Sequence, residues 1–193
     1  MAAARAAWRV WQASLNPADL VFLDETGAST NMARRTGWAP RGERLVSAVP
    51  HGYWKTTTFV AALRQDGLVA PLVIDGPMNG ATFLAYIRHV LVPTLRPGQI
   101  VMLDNLSSHK VAGVRQAVEA TGAALVPLPA YSPDLNPIEQ AFAKLKNRLR
   151  RMARRTIEGL WNGIGQALED FTPCRMRQLH RQLRLSAVIV KTL

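Results

Sequence analysis

The sequence predicts an α/β fold: one mixed sheet with helices on both faces. Three observations predict it. The first half carries three strand-like runs, ADLVFLDE (18–25), KTTTFVAAL (55–63) and LVAPLVID (68–75), which suit an antiparallel meander. The second half alternates helix, strand, helix, strand, helix, the order of crossover connections. The chain has 193 residues, 48% of them hydrophobic, enough for one core of this kind.

The elements follow in order. Residues 3–14 read as a helix with Trp8 and Trp11 on one face, stopped by Asn16-Pro17. ADLVFLDE is a short apolar run ending in two acids, a buried strand. Residues 26–43, rich in Gly, Thr, Arg and Pro, read as a loop or loose hairpin, and RLVSAVP (44–50) is again strand-like. Asp66-Gly67 turns the chain between the second and third strands. Asn79 opens a helix carrying Phe83, Leu84, Ile87, Val90 and Leu91 and closed near Pro93. QIVMLDN (99–105) is the fourth strand, residues 110–121 a helix ended by Gly122, and AALVPLP (123–129) the fifth strand. The turn-rich YSPDLNP leads into a strong helix, IEQAFAKLKNRLRRMA, and Thr156 caps a last one running toward Asp170.

Several classes are excluded. No apolar run reaches the ~18 residues of a membrane helix, and the N-terminus lacks a signal-peptide pattern. The single cysteine, Cys174, excludes an intramolecular disulfide and a cysteine-built zinc site. A reducing cytoplasm is the expected setting.

Charge narrows the field further. Lys and Arg number 24 against 13 Asp and Glu, a net charge of +11. The excess is clustered in Arg34, Arg35, Arg41, Arg44 and Lys55, and again in Lys144, Lys146, Arg148, Arg150, Arg151, Arg154 and Arg155. Such blocks suit a polyanion, most often nucleic acid, although a solvated basic face gives the same pattern. Trp38 and Trp54 lie beside basic residues in loops and are candidates for base stacking.

Three acids stand out by position. Asp24 ends the first strand, Asp104 ends the fourth and Glu139 begins the long helix. If the fourth strand is the first crossover strand, it neighbours the first, and the two terminal aspartates converge. Glu139 then comes over the same edge. Carboxylates so close stay ionised only around a cation, and oxygen donors suit Mg²⁺ or Mn²⁺. Two such ions clamp the attacking and leaving oxygens of phosphoryl transfer. A plainer reading stays open for each acid. Asp24 and Asp104 fit strand-end turns. Asn136, Pro137, Ile138 and Glu139 fit N-cap, N1, N2 and N3 of a capping box. His109, five residues after Asp104, is expected to support the edge, as are Glu25, Asn105 and Asn136.

At these residues the chain resembles the DDE-superfamily transposases, in the mariner-like branch of bacterial insertion sequences. VFLDET, VMLDNLSSHK and LPAYSPDLNPIEQAFAKLKNRLR carry the resemblance, with 34 residues between Asp104 and Glu139. GWAPRGERL, HGYWKTTTFVAAL and VIDGPMNGATFLAYI are similar to connecting segments of the branch. The resemblance implies an RNase H-like, retroviral-integrase-like fold. It implies Asp24, Asp104 and Glu139 as a catalytic triad binding two Mg²⁺ ions, with Mn²⁺ able to substitute. The implied chemistry is nicking at transposon ends, then attack of the freed 3′-hydroxyl on target DNA. The expected partner is double-stranded DNA, end and target, contacted by Arg34, Arg35, Arg41, Lys55, Lys110, Lys144, Lys146, Arg148, Arg150, Arg151 and Arg154. A dimer on DNA, near the bacterial nucleoid, is expected. A catalytically idle DNA-binding remnant and a stand-alone metal-dependent nuclease of the same fold are the alternatives.

The expected organisation is an N-terminal arm (1–17), a catalytic domain (18–173) and a basic tail (174–193). Family members usually begin with a helix-turn-helix domain, so end recognition is expected either to come from an upstream-encoded chain or to have been lost. The branch commonly ends in a segment like FTPAECANYIANSGY. With one choice of permitted codons read one base later, CRMRQLHRQLRL gives AECANYIANSG, as an out-of-frame ending would.

Overall fold

The computed structural model of the chain describes residues 2–105 and 111–171. Helix α1 spans Ala2–Ser14. Asn16 ends the approach to the sheet, its side chain accepting from the Ala18 N–H at 3.2 Å to cap a single tight turn. Strands β1 (Leu20–Ser29), β2 (Thr56–Arg64) and β3 (Gly67–Asp75) form the expected meander. Helix α2 (Gly80–Tyr86) is capped by Asn79, whose Oδ1 accepts from the Thr82 N–H at 2.9 Å. It runs on through one wide turn at Ile87–Leu91 before Pro93 closes it. Strand β4 (Ile100–Leu103), helix α3 (Val114–Glu119), strand β5 (Ala124–Pro127) and helices α4 (Ile138–Met152) and α5 (Ile157–Leu168) complete the fold. Thr156 caps α5, accepting from the Gly159 N–H at 3.0 Å.

The sheet order is β3-β2-β1-β4-β5. β1 is antiparallel to β2 and parallel to β4, so the sheet is mixed and β1 is central. A central strand is covered on both faces, and Leu20, Val21, Phe22 and Leu23 are all buried. Alternation then sorts the core into two layers. Leu20 and Phe22 pack with Phe59, Ala61, Leu63 and Met102 against Phe142, Leu145 and Leu149 of α4 and Leu160 and Ile164 of α5. Val21 and Leu23 pack with Val60, Ala62, Val101 and Leu103 against Phe83, Ile87 and Leu91 on one side and Val114 and Val118 of α3 on the other. Phe59 and Phe142 meet edge-to-face, centroids 5.8 Å apart.

Two sequence expectations are corrected. RLVSAVP (44–50) is not a strand: it runs exposed, outside the ladder, within the long segment between β1 and β2. β2 and β4 flank β1 on both sides, so the segment that follows β1 finds no place beside it, and it pairs with neither edge strand, β3 or β5. β1 is also longer than ADLVFLDE, continuing in register until Ser29 pairs with Thr56. The expected helix over 110–121 is observed from Val114, and the basic tail (174–193) lies outside the described residues. Among the described residues no helix is long and apolar enough to cross a membrane.

Candidate active site

The site grows out of strand register. Leu20, Val21 and Phe22 pair with Ile100, Val101 and Met102, an offset of 80 residues. Carried two residues further, the same register sets Asp24 level with Asp104. Both are even-numbered, so both fall on the face that carries Phe22 and Met102, the face covered by α4. Asp24 is still inside the sheet and only 7% exposed, whereas Asp104 lies just past the end of β4 and is partly exposed.

Glu139 arrives from the other side, in the first turn of α4. Ile138, Ala141 and Phe142 dock that turn on the sheet and leave Glu139 exposed at its edge. The capping box does not form. Asn136 makes no side-chain cap; the helix begins at Pro137 instead. The Asn136 side chain turns inward, and its Nδ2 donates to Asp24 Oδ2 at 2.9 Å. Its Oδ1 is buried without a partner among the described residues. A cap would have used Oδ1 as acceptor; the bond that forms instead uses the Nδ2 end as donor to a carboxyl, a charge-assisted hydrogen bond of the stronger kind when Asp24 is ionised. The other Asp24 oxygen, Oδ1, accepts from the Glu25 N–H at 2.7 Å.

Burial pushes the Asp24 carboxyl up from 3.8 to about 7. The Glu25 N–H opposes this, and the negative charges of Glu139, Asp104 and Glu25 raise it further. The carboxyls of Asp104 and Glu139 are therefore within electrostatic reach of Asp24. Among the described residues, however, no three His, Cys, Asp or Glu side chains are gathered as a metal-binding group. Like charges hold one another apart until a cation offsets their repulsion. The donors are all oxygen, the chemistry that suits Mg²⁺ and Mn²⁺.

The supporting residues divide. Glu25 adjoins the site through its N–H and its charge. The Asn105 Nδ2 donates to the Leu128 carbonyl at 3.4 Å, tying the end of β4 to that of β5. His109 and Lys110 lie outside the described residues. The basic set divides too. Lys146 and Arg150 follow Glu139 at helical spacing, and with Arg35 they line an open groove of about 360 Å³ also bounded by Gly27, Ser29 and Asn31. Burial lowers the Lys146 pKa, while Glu139 and Asp24 favour its charge. Arg148 pairs with Asp170 at 3.4 Å, and Arg154 donates to Gln166 at 3.3 Å. Lys144, Arg151, Arg34, Arg41 and Lys55 are exposed, and Trp38 and Trp54 are exposed as well. Arg155 is structural, donating to the carbonyls of Thr30 and Met32 at 3.0 and 2.8 Å.

Sequence reasoning missed one part of the site. Arg5 of α1 grips the loop before α4 through Tyr131, Ser132 and Asp134. The only sequence signal is Arg5 and Arg9, four apart on one helix face, with a lone acid inside PDLNP.

β1 and β4 are thus parallel at the centre of the sheet, with Asp24 on one, Asp104 just past the end of the other and Glu139 at the head of the covering helix. Residues 19–160 match the family described as DDE superfamily endonuclease, and the chain belongs to it. Among solved structures, the fold is similar to the Mos1 strand transfer complex (TM-score 0.73, 18% identity, covering 95% of this chain and 57% of that one). It is also similar to the Mos1 mariner paired end complex with Mn (0.72, 17%, 95% and 58%). A third match is the Mos1 transposase catalytic domain with raltegravir and Mg (0.61, 16%, 96% and 92%). The chain spans somewhat over half of the first two proteins. No curated protein sequence matches it. The expected RNase H-like fold is thus the observed one.

Proposed function

We propose that this chain is the catalytic domain of an insertion-sequence transposase, acting on DNA with divalent metal. The observation that carries the reading is geometric: β1 and β4 are parallel neighbours whose register carries Asp24 toward Asp104, and Glu139 stands in the first turn of the helix that covers that face, in a chain of the DDE family. Asp24, Asp104 and Glu139 would hold two Mg²⁺ or Mn²⁺ ions, which when bound offset charge on the attacking and leaving oxygens. Asn136 fixes the Asp24 carboxylate from one side and the Glu25 N–H from the other, leaving its ionised form oriented. Lys146, Arg150 and Arg35 hold flanking phosphates. In the first step water adds to a phosphodiester phosphorus and a 3′-hydroxyl leaves. In the second, that hydroxyl attacks a target phosphodiester, and a target 3′-hydroxyl leaves.

The strand transfer complex formed by Mos1 supports joining rather than cutting alone. The proposed partners are transposon-end and target duplexes, a second copy of the chain on DNA and an upstream-encoded helix-turn-helix chain. The proposed organisation is an arm over 1–17 and a catalytic domain over 18–173, working in a bacterial cytoplasm. The test is metal-dependent nicking and strand transfer on a duplex bearing the element's end, with the upstream chain supplied. Wild type is expected to nick and join, and Asp104→Asn to do neither while still binding the duplex. Equal nicking by Asp104→Asn would overturn the reading.

A further inference from the structure

We propose that Arg5 is a positioning residue: from α1 it sets the loop that delivers Asn136 to Asp24 and Glu139 to the sheet edge. The proposal rests on the catalytic reading of that edge. The Arg5 guanidinium makes three bonds to one short segment. Nη1 donates to the Tyr131 carbonyl at 3.1 Å and to Ser132 Oγ at 2.9 Å, and Nη2 donates to Asp134 Oδ2 at 2.6 Å. Arg9, one turn on, reaches only Asp134, at 3.3 Å. α1 is itself anchored, because Trp8 packs against the core layer shared by β1 and α4.

The segment held is a demanding one. Tyr131 carries a side chain at φ 55°, a left-handed conformation that persists only where the surroundings impose it. Immediately beyond, Ser132, Leu135 and Asn136 are buried, with exposures of 6%, 6% and 3%. The path from Arg5 to Asp24 is therefore short: Arg5 to Ser132 and Asp134, two residues along the chain to Asn136, then the 2.9 Å bond to Asp24. Asp134 is half-exposed and Arg5 partly so, and ion pairs so placed add little to stability. The arrangement instead fixes geometry, since a planar fork with three acceptors admits one loop position. Burial raises the Asp134 pKa, and the Arg5 bond and charge bring it below the usual carboxylate value, so the grip is ionic at neutral pH.

The test uses the full chain, labelled with ¹⁵N. The Asn136 side-chain amide signal, identified by its loss in Asn136→Ala, reports the bond to Asp24 directly. Arg5→Ala is expected to shift or broaden that signal and to slow metal-dependent nicking by roughly 10- to 100-fold, with DNA affinity unchanged. Arg9→Ala, which weakens the same helix contact without touching Tyr131 or Ser132, is expected to leave the signal in place. Arg5→Lys, keeping the charge but not the fork, is expected to restore it partly. The inference is overturned if the signal in Arg5→Ala coincides with wild type, or if Arg9→Ala shifts it equally. If wild type shows no nicking even with the upstream chain supplied, the transposase reading is what fails, and the amide signal still decides the role of Arg5.

Discussion

Asn136 and Asp24 are 112 positions apart in the chain and are joined by a buried hydrogen bond of 2.9 Å. The bond ties the central strand to the loop that launches α4, and so couples the strand-borne acid to the helix-borne one.

Removing that donor should cost stability. Asn136→Ala leaves a buried carboxyl with one partner fewer and is expected to lower unfolding stability by about 1–3 kcal/mol. Urea denaturation at neutral pH measures it. Asn136→Asp, which sets another acid against Asp24, is expected to cost more.

Stability should also depend on pH in a direction set by Asp24. Its carboxyl titrates at about 7 in the folded chain against 3.8 ordinarily. Between those values the folded state holds a proton that the unfolded state has released. This group's contribution therefore falls as pH rises from about 4 to 7, by at most about 4 kcal/mol, and is constant beyond. Wild type should lose stability over that range relative to Asp24→Asn, whose curve lacks this component. Added Mg²⁺ should stabilise wild type more at pH 8 than at pH 5, where a proton competes for the same oxygens. Thermal melts across pH, with and without Mg²⁺, give both readings.

Much of this was legible in the sequence. Caps announced their helices: Asn79 and Thr156 bond as their positions predict. The apolar run before Asp24 marked a strand buried on both faces, and the crossover order placed β4 beside it. Composition misled at RLVSAVP, because β-branched residues favour a strand only where a half-buried sheet surface receives them, and this run stays exposed outside the sheet. Of the two readings left open at Asn136, the capping-box contact does not form, whereas support of the acidic edge agrees with its bond to Asp24; local spacing does not show a buried acceptor 112 residues away. The grip of Arg5 was invisible for the same reason: its acceptors lie more than 120 residues on.

The basic residues should prove unequal in DNA binding. Lys146→Ala and Arg150→Ala are expected to weaken binding uniformly across sequences and to reduce the salt slope by about 1 each. Arg148→Ala should do less, because Asp170 already engages that side chain. Fluorescence anisotropy over a salt series separates them. Equal effects from all three would deny the groove its role.

The contact between Phe142 and Phe59 holds α4 against the sheet, so Phe142→Ala should be among the most destabilising core changes. A loss of about 3–5 kcal/mol is expected by urea denaturation.

The central claim is that Asp24, Asp104 and Glu139 act together on divalent cations, and calorimetric titration of the full chain with Mn²⁺ tests it most directly. Wild type is expected to bind about two ions, and Asp24→Asn, Asp104→Asn and Glu139→Gln each to weaken binding sharply while remaining folded by circular dichroism. Three folded variants that bind Mn²⁺ as tightly as wild type, with the same stoichiometry, would contradict it.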